Sequence, residues 1–142
     1  MRPSLFGPPW WLVLHYAAWK ENGSAAADLL LAVPLLLPCR TCRESAAEFL
    51  HALPPQPSPF HATVALHSAV NKKLGIRDPF EDMAEVLDRR FSSGAVLLPM
   101  ATVTAALAMT REGVDMSDAR NVAAYNLAVS ALRRALGSGF EA

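Results

Sequence analysis

Cysteine is scarce in this chain, and so are other features that would place it at once. Only two of its 142 residues are cysteine, whereas a secreted disulfide scaffold spreads several along its length. Formal net charge is zero and no basic run stands ready to track phosphates, so nucleic acid is not an expected partner. No apolar stretch reaches the roughly 20 residues of a membrane span. Leu29 to Leu37 is broken by Pro34, and Ala95 to Met109 carries Pro99, Thr102 and Thr104. Near the start, Pro3, Gly7, Pro8 and Pro9 interrupt any signal-peptide apolar core. Sustained strand-like alternation is missing too, which leaves all-α as the fold class.

What is present is a good deal of apolar material, 52% hydrophobic against 18% charged, enough for a real core in one domain with or without an appendage. Helical punctuation organises it. A first helix is expected from Pro9 to Lys20, with Trp11, Leu14, His15 and Ala18 along one face, and Asn22-Gly23 closes it. Ser24 caps an Ala- and Leu-rich second helix to Leu36. A third runs from Cys39 to Leu53 with Ala46, Phe49, Leu50 and Leu53 inward, followed by a stiff Pro54-Pro55-Gln56-Pro57 loop.

Ser58 as cap and Pro59 at the first position open a fourth helix, whose inward residues are Phe60, Val64, His67, Val70, Asn71 and Leu74, and Gly75 ends it. Asp78-Pro79 repeats the device for a fifth helix to Phe91, with Phe80, Met83, Leu87 and Phe91 on one face. Two further helices are expected, from Pro99 to Arg111 and from Ser117 to Leu136. The second carries a stripe of Val122, Tyr125, Val129, Leu132 and Leu136, and Gly137 stops it.

Both cysteines fall in one local pair, Pro38-Cys39-Arg40-Thr41-Cys42. Unpaired N–H groups at a helix start favour thiolates and lower the thiol pKa from about 8.5, and Arg40 and Arg43 push the same way. Spacing of three lets the sulfurs close a disulfide across one turn. The pair fits redox chemistry or half a zinc site. Zinc needs four ligands, and His15, His51, His61 and His67 contain no H-x(3–5)-H pair. A thioredoxin fold would need strands around the pair.

A second feature is polar residues on faces that should be apolar. His67 and Asn71 lie one turn apart between Val64 and Leu74, and His15 follows Trp11 by a turn. Taken singly, each histidine reads as a core residue bonded to a backbone carbonyl. Two histidines and an asparagine together are costlier to bury without partners, and a planar polar cofactor between the helices would supply them. Trp10 and Trp11 read either as core aromatics or as its stacking surface.

In order, Gly7-Pro8-Pro9-Trp10-Trp11-Leu12-Val13-Leu14-His15, then Pro38 to Cys42, then His67-Ser68-Ala69-Val70-Asn71-Lys72-Lys73-Leu74-Gly75 resemble the motifs of the Erv/ALR sulfhydryl oxidases. Those motifs are Gly and Trp before Leu-x-His, Pro-Cys-x-x-Cys, and His-Asn-x-x-Val-Asn-x-x-Leu-Gly-Lys. The Gly-Pro-x-x-Trp opening looks like the members encoded by large DNA viruses. The match spans Phe6 to Phe91. Ser68 stands where the family has Asn, Ile76 where it has Lys, and Ala62 where it has Trp.

The resemblance implies a flavin-binding four-helix bundle with a short fifth helix over residues 1–92, and a helical C-terminal extension over 93–142. It implies FAD held by Gly7, Trp11, His15, His67, Val70, Asn71, Lys73 and Phe80, with Lys72 or Arg77 as other candidates for the place of the missing lysine. Cys39 would be the exposed sulfur that exchanges with substrate, and Cys42 the flavin-proximal one. Electrons would pass from a separate dithiol protein through both to FAD and molecular oxygen, giving hydrogen peroxide. A homodimer is implied, in host cytoplasm or virions for a viral protein and between the mitochondrial membranes for a cellular one. The extension has neither cysteine nor histidine, so its deletion after about Ser93 is expected to spare the flavin spectrum, at a cost to solubility or dimerisation. Two other readings are a helical interaction protein that has lost flavin and a zinc-stabilised binding module.

Overall fold

The protein is described by a computed structural model covering residues 3–21, 23, 26–28, 30–31, 37, 39–94 and 100–137, with backbone only at 3–7, 100, 102–103 and 106. All the regular secondary structure among these residues is helical. The named helices are α1 (Pro3–Glu21), α2 (Arg40–Ala52), α3 (Pro59–Leu74), α4 (Met83–Ser92), α5 (Met100–Gly113) and α6 (Ala119–Leu136). Residues 26–28 and 30–31 are helical as well. The rest of the expected Ser24–Leu36 helix, Ser24 included, lies outside the described residues, as do Pro38 and Pro99.

Helix α1 is the axis of the fold. Trp10, Val13, Leu14 and Ala17 are buried in one cluster with Leu66 of α3, Leu107 of α5 and Tyr125, Ala128, Val129, Ala131, Leu132 and Ala135 of α6. Its other side packs Ala18, with Leu12, Tyr16 and Trp19 partly buried, against Phe60, Leu87 and Phe91. Being covered on several sides, it is apolar nearly all round. Trp19 Nε1 adds a polar tie, donating to Asp88 Oδ1 at 2.7 Å. Helices α5 and α6 share the principal core with α1.

Several helix ends fall where their chemistry places them. Ser58 Oγ accepts from His61 N, and Pro59 opens α3. Gly75 closes it at φ 70, with Gly75 N donating to Lys72 O and Ile76 N to Asn71 O. These two bonds form a Schellman turn, which needs the positive φ that glycine adopts at no steric cost. Cys39 caps α2 with its sulfur, which accepts from Cys42 N at 3.3 Å.

Other boundaries differ from expectation. Helix α1 begins at Pro3, so Pro8 and Pro9 lie inside it. Proline's fixed φ is itself helical and its penalty falls on the hydrogen bond to the preceding turn, so a proline pair does not mark a start. Helix α4 begins at Met83, with Asp82 Oδ1 accepting from Glu85 N at 3.1 Å. Asp78 is no cap because Ser68 and Asn71 occupy its carboxylate, and Phe80 lies outside the helix. Helix α6 is capped by Asp118 and begins at Ala119, two residues after the expected Ser117. Leu74, expected inward, is 63% exposed at the last turn of α3.

Candidate functional site: a dithiol and a histidine pair

The cysteines sit on α2, on the side that packs toward the core. Both are partly buried against the α1–α3–α5–α6 cluster, as are Phe49 and Leu53 farther along the helix. Both are free thiols, and their environments pull them apart. Burial works against ionisation of Cys39, but hydrogen bonds from the Cys42 and Thr41 side chains and from the backbone there outweigh it and hold its pKa below the ordinary value. Thr41 Oγ1 lies 3.6 Å from the Cys39 sulfur. Cys42 is pushed up to about 12, first by burial and then by its hydrogen bond to Cys39 and the charge there. The helix start therefore favours one thiolate, not two.

The arginines act differently from expectation. Arg40 Nε pairs with Glu44 Oε1 at 3.2 Å on the exposed side. Arg43 Nη1 donates to Leu37 O at 2.9 Å and Nη2 to Gly113 O at 3.4 Å. Arg43 thereby ties the approach to the cysteines to the end of α5, and lowers the Cys42 pKa only as a minor influence. Sequence reasoning did not anticipate this anchor, because Gly113 lies 70 residues away.

Across the α1–α3 seam, three expected residues come together. Trp11 stacks on His67 with ring centroids 4.2 Å apart and planes 8° apart, and on His15 at 5.8 Å. His15 Nε2 lies 2.9 Å from His67 Nδ1, and His15 Nδ1 lies 2.8 Å from Thr63 Oγ1. Burial lowers the His15 pKa to about 3, helped by His67, and lowers that of His67 to about 4 against the opposing charge of Asp78. Both rings are therefore neutral near pH 7.

The remaining expected ligands are engaged elsewhere or stand apart. Asn71 Nδ2 donates to Asp78 Oδ1 and Ser68 Oγ to Asp78 Oδ2, both at 2.8 Å. These two bonds, Asn71 first, keep the Asp78 carboxyl below its usual range. Lys73 Nζ donates to Ser45 Oγ at 3.1 Å and lies 5.5 Å from the centre of the Phe49 ring, so it braces α3 against α2. Val70 is half-buried, and Phe80 is 38% exposed. Gly7 is within α1, with its surroundings outside the described residues.

His15 and Asn71 have polar partners within the protein, in Thr63, His67 and Asp78. Thr63 was missed, although it lies one turn before His67 on α3. Trp10 belongs to the core, with Nε1 buried and unpartnered among the described residues.

Two of the clefts formed by the described residues lie away from the cysteines. One of about 490 Å³ is lined by Leu30, Leu31, Leu50, Leu53, Pro57 and Ala62 among others, roughly 18 Å along α2 from Cys39 by helical rise. The other, about 430 Å³, is lined by Phe60, His61, Asp82, Ala84, Glu85 and Asp88. Neither is lined by the cysteines or the histidine pair. Among the described residues no three His, Cys, Asp or Glu side chains cluster as a metal site, and no helix is long and apolar enough to cross a membrane. Comparison with known protein families, with characterised proteins and with solved structures finds no match to this chain. The structure thus defines an all-helical bundle, among the described residues, with two neighbouring free cysteines at one helix start and a stacked Trp–His–His group between two others.

Proposed function

We propose that this chain is a FAD-dependent sulfhydryl oxidase of the Erv/ALR kind, which forms disulfides in a separate dithiol protein. The observation that carries the proposal is the asymmetry of the cysteine pair. Cys39 is the sulfur with the stabilised thiolate at the start of α2, and Cys42 is the one held protonated. Stabilising the reduced form of a dithiol raises the oxidising power of its disulfide, as an enzyme that oxidises other thiols requires.

In the oxidised enzyme a substrate thiolate attacks Cys39 Sγ. The Cys39–Cys42 bond breaks, and Cys42 leaves with the electron pair and takes up a proton. The second substrate thiolate attacks its partner in the mixed disulfide, releasing oxidised substrate and the Cys39 thiolate. The net change is two electrons and one proton gained by the enzyme pair, which ends as a Cys42 thiol and a Cys39 thiolate, and one disulfide formed in the substrate. A proton passing from Cys42 to the Cys39 thiolate would make Cys42 the nucleophile for the next step.

The chain has no other cysteine, so the electrons need an acceptor that is not a second dithiol. The donor chemistry between α1 and α3 suits a planar heteroaromatic group. Trp11 supplies a ring face, and His67 is half-buried with no protein partner for Nε2 among the described residues. Leu74, Ile76 and Phe80 are exposed apolar residues at the adjoining end of α3. Trp11, His67 and Phe80 would hold FAD, whereas Asn71 and Lys73, bonded within the protein, would not without rearrangement. When bound, FAD supplies the two-electron acceptor that passes electrons to oxygen and yields hydrogen peroxide.

Trapping tests the assignment of the two sulfurs. In Cys42→Ser the resolving thiol is gone, so Cys39 should attack a single-cysteine partner offered as its disulfide with a small thiol, release that small thiol, and hold the partner as a mixed disulfide reversible by reductant. Cys39→Ser should trap none. Trapping on Cys42 and not on Cys39 would reverse the assignment.

A further inference from the structure

The hydrogen bonds around His15 have a direction that begins at Thr63. The Thr63 hydroxyl lies 2.7 Å from Phe60 O and donates its one proton there, the back-bond typical of a helical threonine. Toward His15 it can then only accept, so His15 must carry its proton on Nδ1 to make the 2.8 Å bond. A neutral His15 protonated on Nδ1 has a lone pair on Nε2. The 2.9 Å contact to His67 Nδ1 is then a hydrogen bond only if His67 also carries its proton on Nδ1. The Trp11 ring, 4.2 Å away and nearly parallel, holds the His67 plane in place.

From this chain of bonds we infer that Thr63 is a positioning residue, setting the tautomers of both histidines so that His67 presents Nε2 as a hydrogen-bond acceptor at the α1–α3 seam. The group that binds there must offer an N–H or O–H donor to Nε2, and a ligand with only acceptors at that point is selected against. The donor requirement rests on the sulfhydryl-oxidase reading of the seam. The tautomer order does not, because it is a property of the protein without ligand.

The inference gives Thr63 an effect at a distance from its own contacts. Replacing it by valine, close in shape but without an acceptor, would leave a His15 Nδ1–H buried and unpaired. The cheaper arrangement moves the His15 proton to Nε2, which then donates to His67 Nδ1. His67 must in turn carry its proton on Nε2, and the seam presents a donor where it presented an acceptor. Thr63→Ser keeps the hydroxyl and should keep the original order.

Nitrogen-15 NMR of the histidine rings in flavin-free protein at pH 7.5 reads this directly, since protonated and unprotonated ring nitrogens resonate far apart. Wild type and Thr63→Ser should show the unprotonated nitrogen at Nε2 of both His15 and His67. In Thr63→Val it should move to Nδ1 in both. Wild-type protein with the unprotonated nitrogen at His67 Nδ1 overturns the inference even if no variant folds. A folded Thr63→Val protein with unchanged tautomers overturns it as well. Adding FAD to the same wild-type sample tests the other reading separately. A shift at His67 Nε2 is expected, and its absence would count against flavin at the seam while leaving the tautomer result standing.

Discussion

Lowering the pH from 7.5 to 5 should destabilise this protein well before its carboxylates protonate. The cause is His15, buried and bonded to Thr63 and His67, with its pKa moved from the ordinary 6.5 down to about 3. In the unfolded chain the same ring takes up a proton as pH falls through 6.5. Between 6.5 and about 3 the unfolded state therefore binds more protons, and stability falls as pH falls. The stabilisation is fully present above 6.5 and is lost as the medium acidifies toward the folded pKa.

At pH 5 the linkage for a ring with an unfolded pKa near 6.5 is about 2 kcal/mol. The half-buried His67, moved to about 4, adds to this with a smaller share once solvent screening is allowed for. For a chain of this size 2 kcal/mol lowers Tm by roughly 6–8 °C. Asp78, whose pKa is lowered through its bonds to Asn71 and Ser68, acts in a lower window, below its unfolded value of 3.8, and does not contaminate the measurement. Thermal unfolding followed by circular dichroism at closely spaced pH values is the assay. His15→Gln keeps a donor and an acceptor but does not titrate, so its pH dependence over the same interval should be much shallower. If wild type and His15→Gln lose the same stability between pH 7.5 and 5, His15 is not held neutral in the fold and the hydrogen-bonded chain is misread.

Iodoacetamide should alkylate the reduced protein at Cys39 at least about tenfold faster than at Cys42 at pH 7.5, as peptide mapping by mass spectrometry would show, because the reactive form is the thiolate. Equal rates would remove the asymmetry from which the function is argued. Arg43→Gln should cost about 1 kcal/mol by losing the bonds to Leu37 O and Gly113 O, and hydrogen exchange should quicken just before Cys39. Deletion after Ser93, expected from sequence to spare the flavin spectrum at a cost to solubility or dimerisation, should give insoluble or unfolded protein, since it uncovers Trp10, Val13, Leu14 and Ala17. A soluble, cooperatively folding truncation would show that α1 is stable without α5 and α6.

What the chain disclosed by itself was mostly local. Ser58-Pro59, Gly75 and Gly137 mark helix ends through chemistry contained within a few residues. The α6 stripe follows from helical period, and Tyr125, Val129 and Leu132 are indeed buried. Failures arose where a side chain had a choice of partner. Asp78 and Asp82 are both plausible caps, and only the fold shows that Ser68 and Asn71 claim the first. The spacing Asp82-Met83-Ala84-Glu85 has the capping-box form and was the overlooked clue. Inward His15, His67 and Asn71 were legible as a cluster of polar residues on apolar faces. That they could satisfy one another through Thr63 and Asp78 was not, because those pairings depend on how α1 and the loop after α3 lie against α3.

In the proposed reaction, electrons leave the Cys39–Cys42 pair for a flavin held by this chain. Anaerobic addition of a small dithiol to the purified full-length protein, loaded with FAD and freed of excess, tests it most directly. The flavin absorbance should bleach in wild type, return on admitting oxygen with release of hydrogen peroxide, and resist bleaching in Cys42→Ser. A folded wild-type protein that retains no FAD, or one whose bound flavin bleaches equally well without Cys42, would contradict the account.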